Sequence, residues 1–418
     1  MSAMETIDDR ESAVRSYCRT WPTVFDRASG SWLYDEDGRP YLDFFTGASA
    51  LNYGHNNPAL KRALLDYLES DRVVHSLDMY TIAKSEFLAA FGELILTPRQ
   101  LDYRVQFPGP GGTTAVEAAL KLARKVTGRT EVITFTGGFH GMTLGALAVT
   151  SNRLHRAGAG VDLPHAVSVP YGCRLNGAEP GAPGIESLLR ESGVGLDQVA
   201  AAIVETVQGE GGINVAPLEW LAELAELCQR HGIQLIVDDV QMGCGRTGPF
   251  FSFEAAGIKP DIVCLSKSIG GYGLPMALTL IRPDLDIWKP GEHNGTFRGV
   301  NPAFVTGTAA LRVYWRDKDL ESATLAQGER VRAKLAEIAQ SVPGTPMQPR
   351  GRGLANGLAF TDSELAGKVS SAAFQRGLLV ETAGPSDEVI KLLPPLTATD
   401  AEIDQGLALL ADAVQAVC

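Results

Sequence analysis

Short apolar runs and amphipathic stretches alternate through the middle of the chain. The runs are rich in β-branched residues and lie at 132–136, 200–206, 234–240 and 262–265. Such runs are typical of buried strands. Between two of them, residues 217–232 have apolar side chains at helical spacing, with Pro217 at the start and Gly232 at the end, which predicts a helix. The alternation predicts an α/β protein with a mostly parallel sheet and helices on both faces.

The two ends of the chain have a different pattern. Residues 29–45 alternate apolar and polar positions around Asp37 and Gly38, which predicts a β-hairpin. After residue 300, helical segments flank a strand-like part that includes the run VIKLLPPL. We therefore expect an N-terminal segment that joins a smaller domain, a large domain, and a C-terminal smaller domain, at residues 1–60, 61–300 and 301–418.

Composition and charge narrow the function classes. The chain has 418 residues, a formal charge of −12 and a pI near 5.2. This balance argues against a nucleic-acid or anionic-membrane partner, because both require a basic face. The polar, acidic start has no apolar core, and there is no run of 18 or more apolar residues. We therefore expect neither a secretory signal nor a membrane span, and a cytoplasmic location.

The cysteines are scattered through the sequence, with no CxxC pair and no Cys/His cluster. They are Cys18, Cys173, Cys228, Cys244, Cys264 and Cys418. This distribution favours reduced thiols over a disulfide framework, and it predicts no metal site.

Two apolar runs end in residues suited to chemistry. The run ending at 240 contains Asp238 and Asp239, and because strand side chains alternate, one of these faces a ligand. Lys267 follows the next run, between two serines and before a glycine-rich turn. The intervening FFSFEAAGIKPD has the length of a crossover helix, so the two runs are expected to be neighbouring parallel strands. Lys267 is then either a surface lysine or a reactive amine at the same sheet edge as an aspartate.

A glycine-rich turn precedes a helical stretch at residues 109–125. Thr114 and Glu117 have the spacing of a capping box, and Val116, Leu120 and Ala123 share one face. A helix that begins directly after three glycines offers free backbone N–H groups and a positive dipole end to a phosphate or carboxylate. An ordinary turn before a helix is the alternative. The stretch lacks the GxxxxGK[ST] pattern of a nucleotide-binding loop.

Together these features suit one cofactor. Pyridoxal phosphate requires a lysine for a Schiff base, an acid that keeps the pyridine nitrogen protonated, and an anchor for the phosphate. Lys267, an aspartate at 238 or 239 and the start of the glycine-preceded helix supply one of each. We find no strand, GxGxxG and helix pattern of a nicotinamide-binding protein.

The surrounding motifs resemble a known family. DDVQMGCGRTGPFFSFEAAGIKPDIVCLSKSIGGYGLP resembles the signature of the class III aminotransferases, and the resemblance extends through YLDFFTGASALNYGHNNP, FPGPGGTTAVEAALKLAR, GGFHGMT, VETVQGEGG and GTFRGVNPA over nearly the whole chain. It implies the fold type I of pyridoxal-phosphate-dependent transferases, with a mostly parallel central sheet flanked by helices and a smaller α+β domain made of both termini.

The resemblance also implies roles for single residues. Lys267 corresponds to the lysine that binds the cofactor covalently, and Asp238 to the partner of the pyridine nitrogen. The other implied cofactor residues contact the ring, its hydroxyl, the phosphate or the adjoining pocket: Gly112, Thr113, Phe139, His140, Glu205, Val240, Gln241 and Thr296. Thr296 reaches the cofactor of the neighbouring subunit in this family, so a homodimer or higher homo-oligomer with shared sites is expected. Core packing for Phe139 and structural roles for His140 and Glu205 are the alternatives.

The substrate side departs from the family pattern. Glu210 often pairs with a C-terminal arginine in relatives, but this chain has Lys391 there. A lysine binds a carboxylate as a point charge without the bidentate geometry of arginine. Glu210, Lys391 and Arg298 are therefore candidates for substrate binding, and a solvated loop charge is the alternative for Glu210.

Further strings resemble one group within the family. Ornithine aminotransferases have tyrosine and arginine where this chain has Ala48 and Met142. LNYGHNNP, RAGAGV, EHNGTFRGVNPAFVT and VIKLLPPL instead resemble diaminobutyrate–2-oxoglutarate aminotransferases of ectoine biosynthesis. The resemblance implies ping-pong transfer from glutamate to aspartate 4-semialdehyde, giving diaminobutyrate and 2-oxoglutarate. Amination of another semialdehyde (ornithine, N-acetylornithine or 4-aminobutyrate type), supply of diaminobutyrate to a peptide product, and a non-catalytic cofactor-binding relative are the alternatives.

Overall fold

The structure, a computed structural model, describes residues 2–172, 175, 178–179, 182–190 and 198–418. Its α-helices are α1 Ala3–Arg10, α2 Tyr17–Thr20, α3 Thr46–Ser49, α4 Pro58–Glu69, α5 Ile82–Phe91, α6 Gly112–Thr127, α7 Leu144–Ala148, α8 Arg153–Ala157, α9 Ile185–Arg190, α10 Leu218–His231, α11 Asn301–Tyr314, α12 Asp319–Ser341, α13 Ser363–Gln375 and α14 Asp400–Val417. A π-helical turn spans Gly92–Leu96, and 3₁₀ turns span Thr97–Arg99, Glu254–Ala256, Lys267–Gly270, Pro283–Leu285 and Thr296–Arg298.

The strands are β1 Phe25–Ser29, β2 Trp32–Asp35, β3 Pro40–Asp43, β4 Arg104–Gln106, β5 Glu131–Phe135, β6 Ala166–Val169, β7 Ala178–Glu179, β8 Ala182–Pro183, β9 Val199–Val204, β10 Val207–Gln208, β11 Asn214–Val215, β12 Gln234–Asp238, β13 Ile262–Leu265, β14 Leu278–Ile281, β15 Met347–Arg352, β16 Ala355–Phe360, β17 Leu378–Leu379, β18 Glu381–Ala383 and β19 Val389–Leu392. The four apolar runs of the sequence correspond to β5, β9, β12 and β13, and the helix expected at 217–232 is α10.

A seven-stranded sheet forms the centre of the molecule, in the order β4-β14-β13-β12-β9-β5-β6. The pairs from β13 to β6 are parallel, and β14 is antiparallel to both of its neighbours. The prediction of a mostly parallel sheet is therefore confirmed. The carboxyl ends of β12 and β13 lie side by side, with Asp238 opposite Cys264.

Helices cover both faces of this sheet, as predicted. Alternate residues along each strand enter different hydrophobic clusters. Val237 and Val263 pack in the cluster that contains Leu221 of α10. Ile236 and Ile262 pack in a second cluster, which contains Val116 of α6 and its neighbours. The sheet is thus buried on both sides, as is usual for parallel sheets.

The prediction of a crossover helix between β12 and β13 is wrong. The chain between these strands forms turns and the short 3₁₀ turn Glu254–Ala256. Gly245 and Gly248 have φ of 88° and 108°, which a right-handed helix does not admit. The adjacent side chains of Phe250 and Phe251 are both fully buried, so the segment lacks the one-sided apolar stripe of a surface helix.

The prediction of a capping box formed by Thr114 and Glu117 is also wrong. Helix α6 begins earlier, at Gly112, with Gly111 as its N-cap. The Thr114 hydroxyl donates to the carbonyl oxygens of Gly109 and Gly111. Glu117 accepts from the Thr143 hydroxyl instead of from the helix start.

The N-terminal hairpin pairs with the C-terminal part of the chain. Strands β2 and β3 form the antiparallel hairpin expected at residues 29–45. Strand β3 then pairs in parallel with β17, with Leu42 opposite Leu378. A separate sheet, β15-β16-β19-β18, carries Lys391 on β19, and helices α12 and α13 pack against it.

Helix α3 is a single left-handed turn. Its four residues have φ of 50°, 57°, 55° and 71°, in the order Thr46, Gly47, Ala48 and Ser49. A left-handed turn costs a non-glycine residue about 1–2 kcal/mol, so the surrounding contacts must hold it. The Asp43 carboxylate accepts from the Thr46 N–H at 2.8 Å, and the Thr46 hydroxyl donates to the Leu393 carbonyl at 2.8 Å.

Among the helices of the described residues, none is long and apolar enough to cross a membrane. Within the same residues, no group of three or more His, Cys, Asp or Glu side chains is arranged to hold a metal ion. Five cysteines are free thiols: Cys18, Cys228, Cys244, Cys264 and Cys418. Cys173 lies outside the described residues.

Candidate active site

Lys267 lies just beyond the carboxyl end of β13. It opens the 3₁₀ turn Lys267–Gly270 with φ of 53°. Ser268 fixes this turn, since its hydroxyl donates to the Ser49 carbonyl at 2.6 Å and accepts from the Asn52 N–H at 3.0 Å. Burial lowers the pKa of the Lys267 amine, and this effect outweighs the attraction of the Glu210 carboxylate. A lysine with a lowered pKa is more readily neutral and nucleophilic.

Asp238 ends the neighbouring strand and is held by a histidine. One of its carboxylate oxygens lies 2.7 Å from His140 Nδ1, and the other accepts from the Val240 N–H at 3.1 Å. Both side chains are buried. Burial acts against the charge of His140, yet the hydrogen bond and charge of Asp238 hold the pKa of His140 above its ordinary value. His140 therefore holds the Asp238 side chain in place as a hydrogen-bond partner.

Asp239 has the opposite environment. Its side chain points away from His140 and accepts from the Ser252 N–H at 2.9 Å. Burial raises the pKa of Asp239 to about 7. The expectation that only one of the two aspartates faces the ligand side is supported by these contacts, with Asp238 on the side of Lys267.

Glu205 and Phe139 are linked at the end of β9. The Phe139 N–H donates to Glu205 Oε2 at 2.9 Å, and the Phe139 ring contacts His155 edge-on. Burial raises the pKa of Glu205 to about 7, although the charge of His140 opposes this rise. Glu205 thus provides a carboxyl that can change protonation near neutral pH.

The start of helix α6 lies against the end of β12. A Cβ atom added to Gly112 would lie 2.7 Å from Val240 Cγ1, so glycine permits the close approach. The Thr113 hydroxyl lies 2.6 Å from that of Thr143. Thr143 in turn donates to Glu117 at 2.6 Å, and because a carboxylate only accepts, Thr113 is the donor to Thr143.

A cluster of charged side chains lies near Lys267. Lys391 Nζ is 2.7 Å from Glu210 Oε1 and 2.9 Å from Glu381 Oε1. Gln241 Nε2 donates to the same Glu210 oxygen at 3.0 Å. Lys391 lowers the pKa of Glu210 to about 2 despite its burial. The structure thus brings Glu210, Lys391 and Gln241 together.

Thr296 and Arg298 lie apart from this group. They belong to the turn Thr296–Arg298, where the Thr296 carbonyl is 2.7 Å from His75 Nε2 and Arg298 donates to Asn294 at 2.9 Å. Within the described part of the chain, neither side chain forms a hydrogen bond or ion pair with the residues around Lys267.

Sequence reasoning missed two residues of the site, Ser268 and Glu381. Ser268 gave no signal, because its partners Ser49 and Asn52 are more than 200 positions away. Glu381 did give one. The turn residues GPSD separate two short apolar runs, 378–383 and 389–393, and a hairpin there places the one charged residue of each run on facing strands.

Known proteins are similar to this chain over nearly its whole length. A model of the family Aminotransferase class-III matches residues 15–414. A diaminobutyrate–2-oxoglutarate transaminase from Nocardia farcinica is 62% identical over 408 residues, which cover 98% of this chain and 93% of the relative. Enzymes of the same name from Streptomyces avermitilis and Vibrio parahaemolyticus are 60% and 51% identical, each covering 99% of this chain and 98% of the relative.

Solved structures show the same architecture. An ornithine aminotransferase from Toxoplasma gondii has a TM-score of 0.87 and 27% identity, covering all of this chain and 96% of that one. An acetylornithine aminotransferase from Elizabethkingia anophelis has a TM-score of 0.80 and 25% identity, covering 99% and 98% of the two chains.

Proposed function

The chain belongs to the class III aminotransferases, pyridoxal-phosphate enzymes of fold type I, and on that premise we propose that it transfers the amino group of L-glutamate to L-aspartate 4-semialdehyde. The products are L-2,4-diaminobutyrate and 2-oxoglutarate. The similarity over almost the full length to transaminases of that name carries the choice of substrate. The geometry around Lys267 supports the reaction class.

The residues around Lys267 fit the cofactor of the family. Gln241 Oε1 is buried and has no hydrogen-bond partner among the described residues, which leaves an acceptor for the ring hydroxyl. The first N–H groups of α6 lie beside Val240, where a phosphate is stabilised by the helix terminus. When bound, pyridoxal 5'-phosphate supplies a ring that accepts electrons from the substrate carbon.

Each residue would hold a different part of the cofactor. Lys267 would bind it covalently, and Asp238 would keep the ring nitrogen protonated. The remaining contacts would come from Gly112 and Thr113 at the phosphate, Phe139 and Val240 at the two ring faces, Gln241 at the ring hydroxyl, His140 and Glu205 at the edge of the pocket, and Thr296 from the neighbouring subunit.

The chain's own groups then move the proton. Lys267 Nζ would take a proton from the substrate carbon and hold it for the return transfer. Burial favours its neutral, proton-accepting form. The contact with His140 holds Asp238 in position through the transfer. Glutamate and the semialdehyde react in turn at one site, so ping-pong kinetics are expected.

A homodimer is part of the proposal. The apolar side chains of Val73, Val74, Met79, Tyr80 and Ile82 are 51% to 103% exposed. They lie next to the turn Thr296–Arg298, because His75 and Val300 form a β-bridge. Contiguous exposed apolar surface of this kind marks an interaction site. A second copy docked there would bring one subunit's Thr296 turn to the other's cofactor.

The cellular role follows from the same relatives. We place the reaction in the cytoplasm and assign its product to ectoine synthesis or to another pathway that consumes diaminobutyrate. The separation of these two pathways requires metabolite profiles of cells with and without the gene.

Initial-rate kinetics test the substrate. The purified enzyme is assayed with 2-oxoglutarate and, separately, diaminobutyrate, ornithine, N-acetylornithine and 4-aminobutyrate. We expect kcat/KM for diaminobutyrate to exceed the others by at least about tenfold, because the head-group contacts select among amines of different length. A higher value for ornithine or 4-aminobutyrate would keep the reaction class and reject the proposed substrate.

A further inference from the structure

Lys391 is paired with two carboxylates that differ in freedom of movement. Lys391 and Glu381 face each other as direct partners on the antiparallel strands β19 and β18. The register of the sheet therefore fixes Glu381 beside the amine. Glu210 lies in the turn between β10 and β11, and its side chain is 30% exposed against 6% for Glu381. Of the two carboxylates, Glu210 is the one that can turn away.

The second carboxylate changes the net charge that a substrate carboxylate encounters beside Lys391. If Glu210 were the sole partner of Lys391, its departure would leave a bare buried cation, which strongly attracts a carboxylate. With Glu381 fixed at 2.9 Å, the cation stays partly neutralised. A carboxylate that approaches Lys391 is then attracted by the amine and repelled by Glu381.

The cluster acts on the reaction centre. The charges of Glu210, Lys391 and Glu381 all act on the Lys267 amine, so the cluster lies close to the reacting group. The groups that face Glu381 are Lys391, Glu210 and Lys267, together with the phenol of Tyr17 on α2. Neither the family resemblance nor the comparisons assign a role to Glu381 or Tyr17, and of these two only Glu381 forms an ion pair with Lys391.

We propose that Glu381 determines which substrate charge is favoured beside Lys391. Its carboxylate disfavours a substrate with a second carboxylate remote from the reacting amine, and it favours a substrate with an ammonium group there. The inference rests on the proposed function, because diaminobutyrate carries an ammonium in its head group and glutamate carries a lone carboxylate. Glu381 is thus a specificity-determining residue that acts through Lys391.

The effect has a pH dependence of known sign. Burial raises the pKa of Glu381 to about 7, against the opposing charge of Lys391. The carboxyl is neutral well below that pH and carries its charge above it. Discrimination against glutamate is therefore present at about pH 8 and absent at about pH 6.

The test compares two amino donors that react with the same form of the holoenzyme. The rate constants for diaminobutyrate and glutamate are measured by stopped-flow absorbance in wild type and Glu381→Gln. We expect the rate constant for diaminobutyrate divided by that for glutamate to fall about tenfold in Glu381→Gln at about pH 8. At about pH 6 this ratio should differ from that of wild type by less than about twofold. The comparison of wild type with variant cancels the titration of the substrates themselves.

Glu388→Gln is the matched control, because it removes a charge from the adjoining loop without touching Lys391. It should leave the ratio unchanged at both pH values. A ratio in Glu381→Gln equal to that of wild type at about pH 8 would overturn the proposal. If Glu381→Gln does not fold, Glu381→Met, which also removes the charge and keeps a side chain of similar length, takes its place in the same comparison with wild type.

The test of Glu381 can be distinguished from the test of the proposed substrate. If wild type reacts with glutamate but not with diaminobutyrate, the proposed substrate is rejected. Ornithine has the same head-group charges as diaminobutyrate, so the comparison of ornithine with glutamate then tests Glu381 in the same way.

Discussion

Two adjacent aspartates illustrate what single residues contribute. Asp238 and Asp239 are chemically identical, yet strand alternation sends one to His140 and the other to Ser252. The sequence predicted that one of them faces the ligand, because the period of a strand is two residues. It did not predict the pairing of Asp238 with His140, since hydrogen bonds between distant segments leave no periodic signal.

Asp238→Asn should stop catalysis without unfolding the protein. The amide keeps the shape of the side chain but replaces the carboxylate that contacts His140. We expect the rate of the half-reaction with glutamate to fall at least about hundredfold, as for other losses of a preorganised charge. Stopped-flow absorbance measures the rate and circular dichroism checks the fold. A wild-type rate in this variant would contradict the assigned role.

Asp239→Asn should instead change stability. Burial raises the pKa of Asp239 to about 7, so the folded protein binds this proton more tightly than the unfolded chain. Wild type therefore loses stability as pH rises from about 4 to about 7, whereas asparagine has no proton to lose. We expect the gain in unfolding free energy of Asp239→Asn over wild type to grow by roughly 3 kcal/mol across that range.

Thermal melts of Asp239→Asn and wild type at about pH 5 and about pH 8 measure this difference. The activity of Asp239→Asn should stay within about twofold of wild type at the pH of the assay, which makes it the control for Asp238→Asn. A gain that is the same at both pH values would mean that Asp239 does not titrate in this range.

At the scale of elements, the sequence predicted strands and α10 well but failed at the connections. The strands β5, β9, β12 and β13 follow from apolar runs, because burial on both faces requires them. The segment after β12 is held by Phe250, Phe251 and glycine turns, and these are tertiary contacts. The left-handed turn α3 was not predicted either, since three of its four residues are not glycine.

The hydrogen bond between Ser268 and Ser49 joins the turn of Lys267 to α3, and substitutions at these two serines test whether it positions Lys267. Ser268→Ala leaves the Ser49 carbonyl and the Asn52 N–H without their partner, and each buried unpaired group costs about 1–3 kcal/mol. We expect a lower melting temperature and a kcat reduced about tenfold, with a smaller change in KM, because the Lys267 amine is displaced.

Ser49→Gly is the matched control for Ser268→Ala. It keeps the carbonyl acceptor, relieves a φ of 71° and removes a buried hydroxyl that has no partner among the described residues. We expect wild-type kcat and a gain of about 1 kcal/mol in stability. Equal kcat in Ser268→Ala and wild type would show that the turn does not position Lys267.

At the scale of the whole molecule, the sheet order places Lys267 and Asp238 on neighbouring strand ends. The sequence predicted this adjacency from spacing and family resemblance, although the crossover it assumed is not helical. The pairing of β3 with β17 joins the two ends of the chain. The division into residues 1–60, 61–300 and 301–418 stays a prediction.

The proposed dimer gives a test at this scale. Tyr80→Asp puts a charge into the exposed apolar surface of residues 73–82, and burial of an unpaired charge opposes association. We expect the sedimentation coefficient to shift to that of a monomer, with loss of activity because Thr296 no longer reaches the neighbouring site. Leu154 is another exposed apolar residue, and Leu154→Asp should leave the assembly unchanged. A dimeric Tyr80→Asp would show that the contact lies elsewhere.

The most direct measurement is the visible absorbance of the reconstituted holoenzyme mixed with L-2,4-diaminobutyrate, in wild type and in Lys267→Ala. In wild type the band of the bound cofactor should bleach with diaminobutyrate and return with 2-oxoglutarate. In Lys267→Ala the cycle should be lost, because the amine that moves the proton is absent. A wild-type band unchanged by diaminobutyrate but bleached by ornithine or 4-aminobutyrate, or a complete cycle in Lys267→Ala, would contradict the account.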